Sequence, residues 1–205
     1  MSNTNGQQEK DGWSSTLYNA NSPFAYSKSN TSTILGLLDA KPAKRLLTLA
    51  VGQISKAREN GLKHAFVADA QDVVYPAELA SLKGQFDAVF LNAALHWCKR
   101  DPASVIKSAR EALRADGKGR FVAELGGFLN GLGLRSVLHT ILESRGMDPI
   151  KLDPWFVPTV EQYKALLEKG GFQVAHISLN PRITPLPGSV VDWMRTFCRE
   201  SGLQT

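Results

Sequence analysis

Short apolar runs, each opening onto a polar residue and separated by segments of helical pattern, constrain this chain most. Residues 45–49, 64–68, 86–91 and 120–125 are too short for buried helices, and two of them run straight into Asp69 and Asn92. Such runs predict strands covered on both faces. Residues 29–40 carry Ile34, Leu35, Leu37 and Leu38 on an apolar face and stop at Lys41-Pro42, which predicts a helix. A second helix is predicted over 53–60, closed by Gly61 as a left-handed cap. Asp101 and Pro102 supply a cap and a first-turn proline for a helix through Arg114, and another is predicted over 132–144. Thr159-Val160-Glu161-Gln162 is a capping box opening a helix that Gly170-Gly171 ends. A last strand is predicted over 172–179 and a last helix over 189–200. Strand alternating with helix predicts the α/β class: a mostly parallel sheet with helices on both faces.

With 205 residues, the chain can bury roughly 70% of the surface its unfolded form exposes, enough for one domain. Residues 1–12 are polar and read as a disordered leader, leaving 13–205 as a single domain. The net charge of +5 is spread along the chain and interleaved with acids, which argues against nucleic acid as a partner. No run approaches the ~18 apolar residues of a membrane span. Cys98 and Cys198 are far apart, with no second thiol or histidine at ligand spacing, so neither a zinc site nor a disulfide framework is indicated. Reduced thiols fit a cytoplasmic protein.

Open α/β sheets bind ligands at the carboxyl ends of their strands, which singles out Asp69, Asn92 and Glu124. Asp69 reads equally as a turn aspartate. His96 is a candidate general base, since imidazole titrates near neutrality, or a packed surface histidine. Trp97 and Trp155 could wall an apolar substrate pocket or sit in the core. Cys98 is a remote nucleophile candidate with only His96 as a base. Gly131-Leu132-Gly133 reads as a flexible connection rather than a dinucleotide fingerprint.

Several phrases occur in a telling order: Asp69-Ala70, Asn92-Ala93-Ala94-Leu95-His96-Trp97, Phe121-Val122-Ala123-Glu124-Leu125-Gly126-Gly127, Pro154-Trp155-Phe156 with Pro158, and Pro185-Leu186-Pro187-Gly188. Together they resemble class I S-adenosylmethionine-dependent methyltransferases, in particular the small-molecule, trans-aconitate methyltransferase-like branch. The resemblance implies a Rossmann-like methyltransferase fold and transfer of a methyl group from S-adenosylmethionine to an oxygen of a small organic acid or natural product. It places Asp69 and Ala70 at the adenine, and Asn92 and Ala93 beneath the methionine end of the cofactor. His96 and Trp97 would face the small-molecule substrate, where His96 is the catalytic candidate and Trp155 a further candidate wall of the substrate pocket.

Two departures qualify that implication. The family's glycine-rich cofactor loop and ribose-binding acid are replaced by Thr48-Leu49-Ala50-Val51-Gly52-Gln53-Ile54, and one helix-strand unit is absent, so S-adenosylmethionine binding is expected to be weakened or lost. Segment 64–68 is then expected to move inward against 45–49, setting Asp69 where the ribose-binding acid stands. The chain also stops before the family's last helix and strand. The expected result is an incomplete fold with an exposed sheet edge, open to a protein partner or to self-association. Three alternatives to an active transferase remain: a pseudoenzyme acting by interaction, a cofactor-independent cyclase or isomerase with His96 as base, and an incomplete gene model or splice form.

Overall fold

The computed structural model describes residues 28–41, 44–49, 58–59, 61 and 64–197. Three parallel strands form its centre: β1 (Leu46–Leu49), β2 (Ala88–Asn92) and β3 (Arg120–Glu124), in that spatial order. Leu46–Leu49 of β1 lie in register with Ala88–Leu91 of β2, and β2 continues the register to Asn92 opposite Glu124. Because side chains alternate along a strand, β2 serves two cores. Val89 and Leu91 are fully buried on one face, among Leu95, Val105, Ile106, Ala109 and Leu167. Ala88 and Phe90 turn to the other face, where Ile34 and Leu38 of α1 (Lys28–Leu38) close over them with Val122. The parallel α/β class read from the sequence is the class observed.

Helix α2 (Pro102–Ala112) starts where the cap predicts. The Asp101 carboxylate accepts the Ser104 amide N–H at 3.0 Å, and Pro102 stands in the first turn. Its buried stripe of Val105, Ile106, Ala109 and Ala112 follows helical spacing and faces the sheet. Helix α3 (Leu132–Ser144) has the predicted bounds and begins after Gly131, whose φ of 62° favours glycine. A short helix, α4 (Pro149–Leu152), follows an Asp148 cap. In α5 (Val160–Lys169) both halves of the capping box form: the Gln162 N–H donates to Thr159 Oγ1 at 3.2 Å, and the Thr159 N–H donates to Gln162 Oε1 at 2.9 Å. The final described helix is α6 (Val190–Phe197), where Ser189 Oγ accepts the Asp192 N–H at 3.1 Å.

Two predicted strands do not form. Residues 64–68 adopt no ladder, Val67 is 78% exposed, and the chain meets only the local Asp69–Asp72 bridge. The proposed inward move against β1 is therefore overturned. Residues 172–179 carry Phe172, Val174 and Ile177 onto the core yet pair with no strand among the described residues. Alternation supplied the apolar contacts, but a strand also needs a neighbouring backbone to complete its hydrogen bonds. Of the helix read over 53–60, only 58–59 are described, both helical; Gly61 follows at φ 87° with its N–H on the Arg58 carbonyl. The leader and Cys198 lie outside the described residues.

At the amino-terminal end of the strands, Asp87 accepts the Arg45 N–H at 2.9 Å, Arg114 at 2.8 Å and Lys44 at 3.3 Å, which holds its carboxyl down to about 2. It ties the entry of β1 to the exit of α2. Gly170, at the end of α5, makes the tightest approach: a Cβ there would stand 2.4 Å from Cγ2 of the fully buried Ile106. Gly170→Ala is expected to lower stability by about 1–3 kcal/mol through overpacking, as a fall in urea midpoint at unchanged slope.

Candidate functional site

The candidate site lies at the carboxyl ends of β2 and β3. After Asn92 the backbone turns sharply, with Ala93 at φ 52° and its N–H on the Glu124 carbonyl at 2.9 Å. A single 3₁₀ turn, Leu95–Trp97, follows. Leu95 is fully buried and pins the turn to the core, leaving its neighbours His96 and Trp97 only partly covered. A left-handed alanine is unfavourable by itself, so packing of Leu95 and the Glu124 contact hold this exit in shape.

His96 is fixed at two points. Its Nδ1 accepts the Gly126 N–H at 3.2 Å, and its carbonyl accepts the Phe156 N–H at 2.8 Å. Burial pushes its imidazole down to about 4. The ring is neutral at pH 7, and because Nδ1 receives a hydrogen bond, the ring proton resides on Nε2. A base whose folded pKa lies below its unfolded value of 6.5 stabilises the fold fully at higher pH, and that contribution is lost as pH falls from about 6.5 toward 4. Urea midpoints between pH 7 and 4 are expected to fall less steeply for His96→Gln than for the parent chain.

Asp69 anchors a polar network beside this turn. Its Oδ1 accepts the Gln71 backbone N–H at 2.9 Å and the Gln71 side-chain amide at 3.1 Å, and its Oδ2 pairs with Arg100. Gln71 Oε1 in turn accepts the Asp101 N–H at 2.7 Å. The Gln71 amide, followed by its side chain and Arg100, holds the Asp69 carboxyl below the usual carboxylate range despite some desolvation. Segment 69–71 is thereby bound to the start of α2, and half-buried Ala70 packs on the core.

Trp97 and Trp155 do come together, edge to face with ring centroids 5.9 Å apart. Two rings of α6 join them, which the sequence reading missed: Phe197 stacks on Trp97 at 6.0 Å, and Trp193 lies 6.2 Å from Trp155. Their spacing, Trp193 and Phe197 at i and i+4, was the available signal. A second unforeseen feature holds Trp155. Buried Asp153 accepts the Trp155 N–H on Oδ1 at 3.0 Å, while Oδ2 takes Arg135 Nη2 at 2.6 Å, Arg135 Nε at 2.8 Å and His139 Nε2 at 3.1 Å.

Other candidates have plainer roles. Glu124 at the mouth of β3 is paired with Arg182. Burial raises the Cys98 thiol to about 11, so it is protonated at neutral pH, and its Sγ faces the Ala94 carbonyl. Gly131 opens α3 in the left-handed region, with no side-chain cap on the helix. Among the described residues no group of three His, Cys, Asp or Glu side chains could hold a metal ion, and no helix is long and apolar enough to cross a membrane.

The methyltransferase domain family matches residues 44–121, the stretch that holds β1, Asp69, β2, the His96 turn and α2. The chain is 37% identical over 152 residues to an uncharacterized methyltransferase of Schizosaccharomyces pombe, an alignment covering 71% of this chain and 56% of that protein. This chain thus spans little more than half the length of that relative. Among solved structures it is similar to a SAM-dependent methyltransferase of Thermotoga maritima, at 16% identity and TM-score 0.48, covering 70% of this chain and 71% of that one. A chain in the complex of a Haloferax volcanii methyltransferase activator with a methyltransferase aligns at 12% identity and TM-score 0.48, covering 85% and 86%. The protein is methyltransferase-like, and residues 44–121 carry that likeness.

Proposed function

We infer that this chain brings S-adenosylmethionine and a small acceptor together at the mouth of the sheet for methyl transfer to an acceptor oxygen, with reduced affinity for the cofactor. The observation that carries the reading is the turn after β2, where Asn92, neutral His96 and Trp97 stand at the end of a central parallel strand. Asp69 is tied to the same stretch through Arg100.

The residues present fit the donor molecule. The Asn92 carboxamide has no hydrogen-bond partner among the described residues, so its donor and acceptor are both available. Asp69, with 45% of its side chain exposed, keeps an ionised carboxylate that can accept from an exocyclic amine. When bound, S-adenosylmethionine supplies an electrophilic methyl group on a sulfonium sulfur. Asn92 and Ala93 would hold the amino-acid end and Asp69 with Ala70 the base.

His96 meets the acceptor as a donor rather than as a proton acceptor, because its Nδ1 lone pair is committed to Gly126 and its proton sits on Nε2. An acceptor carboxylate suits that role: it is ionised at neutral pH, so no proton need leave before its oxygen attacks. The work left to the protein is alignment and exclusion of water, to which the Trp97 and Trp155 walls contribute.

Calorimetric titration with S-adenosylmethionine and S-adenosylhomocysteine tests this. Dissociation constants of about 10–1000 μM are expected, and a combined Asp69→Ala, Asn92→Ala variant should bind at least about tenfold more weakly. No heat at about 5 mM ligand sinks the reading. A second reading has one observation of its own: β1 pairs only along its β2 side among the described residues, and Leu46 is 40% exposed. That edge suits strand addition by a protein partner, making the chain an interaction module.

A further inference from the structure

We propose that α6 is an exchangeable aromatic roof, and that the acceptor is a planar aromatic compound bearing a hydrogen-bond-accepting oxygen, which takes the places of Trp193 and Phe197 on Trp155 and Trp97. This rests on the methyltransferase reading above and names the substrate class of that same site.

The floor of the cluster is rigidly built. Trp97 continues directly from His96, whose ring and carbonyl are both held. Trp155 is fixed through its N–H to Asp153, itself gripped by Arg135 and His139, and the next residue, Phe156, bonds back to the His96 carbonyl. The roof is built differently. No residue of α6 is buried, Val190 and Val191 are each 53% exposed, and the segment leading to the helix, 172–189, has no regular secondary structure. The segment is tied at the mouth of β3 by the Arg182–Glu124 pair.

What the roof offers the floor is flat π surface. The Phe197 ring lies over Trp97 with planes only 20° apart, and the Trp193 ring rests on Trp155 at 43°. A planar conjugated ring reproduces those contacts, whereas a saturated ring or a short aliphatic acid lacks the π face that indole favours. The His96 ring centre is 5.3 Å from that of Trp97, which sets an imidazole N–H donor next to the floor, and an oxygen substituent on the acceptor gives that donor a partner. A hydrogen-bonded floor beneath a helix that buries none of its residues is the asymmetry that lets a ligand displace one without disturbing the other.

Calorimetry on the full chain with 4-hydroxybenzoate and cyclohexanecarboxylate, two acids of like charge, provides the test. The aromatic acid is expected to bind at least about tenfold tighter, and the Trp193→Ala, Phe197→Ala variant should bind it about tenfold tighter still, since the competing roof is gone. Adding Trp97→Ala to that variant should return the affinity to that of the saturated acid. Should circular dichroism find the alanine pair unfolded, the Trp193→Leu, Phe197→Leu pair serves instead, with a smaller gain expected. Equal binding of the two acids, or unchanged or weakened aromatic binding once the roof rings are removed, overturns the proposal. S-adenosylhomocysteine titrated in parallel separates the two inferences. Silence toward it with the aromatic pattern intact removes the cofactor reading alone, and its binding without that pattern removes the roof alone.

Discussion

Asp153→Ala is expected to lower folding stability by about 3–5 kcal/mol, because it strands a partly buried guanidinium instead of merely deleting a contact. Asp153 is 8% exposed, and its partner Arg135 keeps only 20% of its side chain in solvent. Water can replace little of what the carboxylate supplied. Burial alone would push this carboxyl up, but the Trp155 amide and Arg135 together hold it below its ordinary value of 3.8. For an acid with a depressed folded pKa, the stabilisation is present above the unfolded value and is lost as pH falls through the folded one. Urea midpoints of the parent chain should therefore drop below pH 3.8, and those of Asp153→Ala should lack that component. Asp153→Asn, which preserves shape and one acceptor, is expected to lose roughly half as much. A loss under about 1 kcal/mol for the alanine variant would mean that Arg135 readily finds another partner. The same substitution removes the acceptor for the Trp155 backbone N–H, which positions that residue, so it should blur the tryptophan near-ultraviolet circular dichroism even at temperatures where the fold persists.

Leu91→Ala is expected to cost about 2–5 kcal/mol. Leu91 is the next-to-last residue of the central strand, opposite Leu49 and Ala123 in the two ladders, with no solvent exposure. Its side chain packs in the cluster that includes Leu95, so the cavity opens under the 3₁₀ turn carrying His96 and Trp97. Neighbours joined to a hydrogen-bonded strand cannot collapse into the space, which places the cost toward the upper part of the range. Leu46→Ala, in the same sheet but 40% exposed, is the matched control and should cost under about 1 kcal/mol. Similar urea midpoints for the two variants would contradict the burial described for β2.

Elements whose instructions are local were legible in the sequence. Asp101 with Pro102 sets the start of α2, and the Thr159–Gln162 pair sets α5, because a cap is satisfied by residues three positions away. The strands β1, β2 and β3 were legible because their apolar runs meet one another. Segments 64–68 and 172–179 carry equally good strand patterns, but pairing depends on a distant backbone that alternation cannot reveal. In the site, the place of Asn92 at a strand end followed from the apolar run before it, whereas the ring contact of Trp97 with Trp155 joins residues far apart in sequence and had no local signal. The state of His96 did not follow from order, since it depends on a Gly126 amide thirty residues away. Nor did the Asp153 cluster: an aspartate before a proline reads as a turn, and only folding brings Arg135 and His139 to it.

The Phe156 amide donated to the His96 carbonyl, alongside the Trp97–Trp155 ring contact, welds two loops that are far apart in sequence. For anyone redesigning the chain, residues 94–98 and 153–158 are one interchangeable cassette. Grafting either loop alone from a homologous scaffold leaves an amide or a carbonyl facing nothing, while transplanting both carries the matched pair intact.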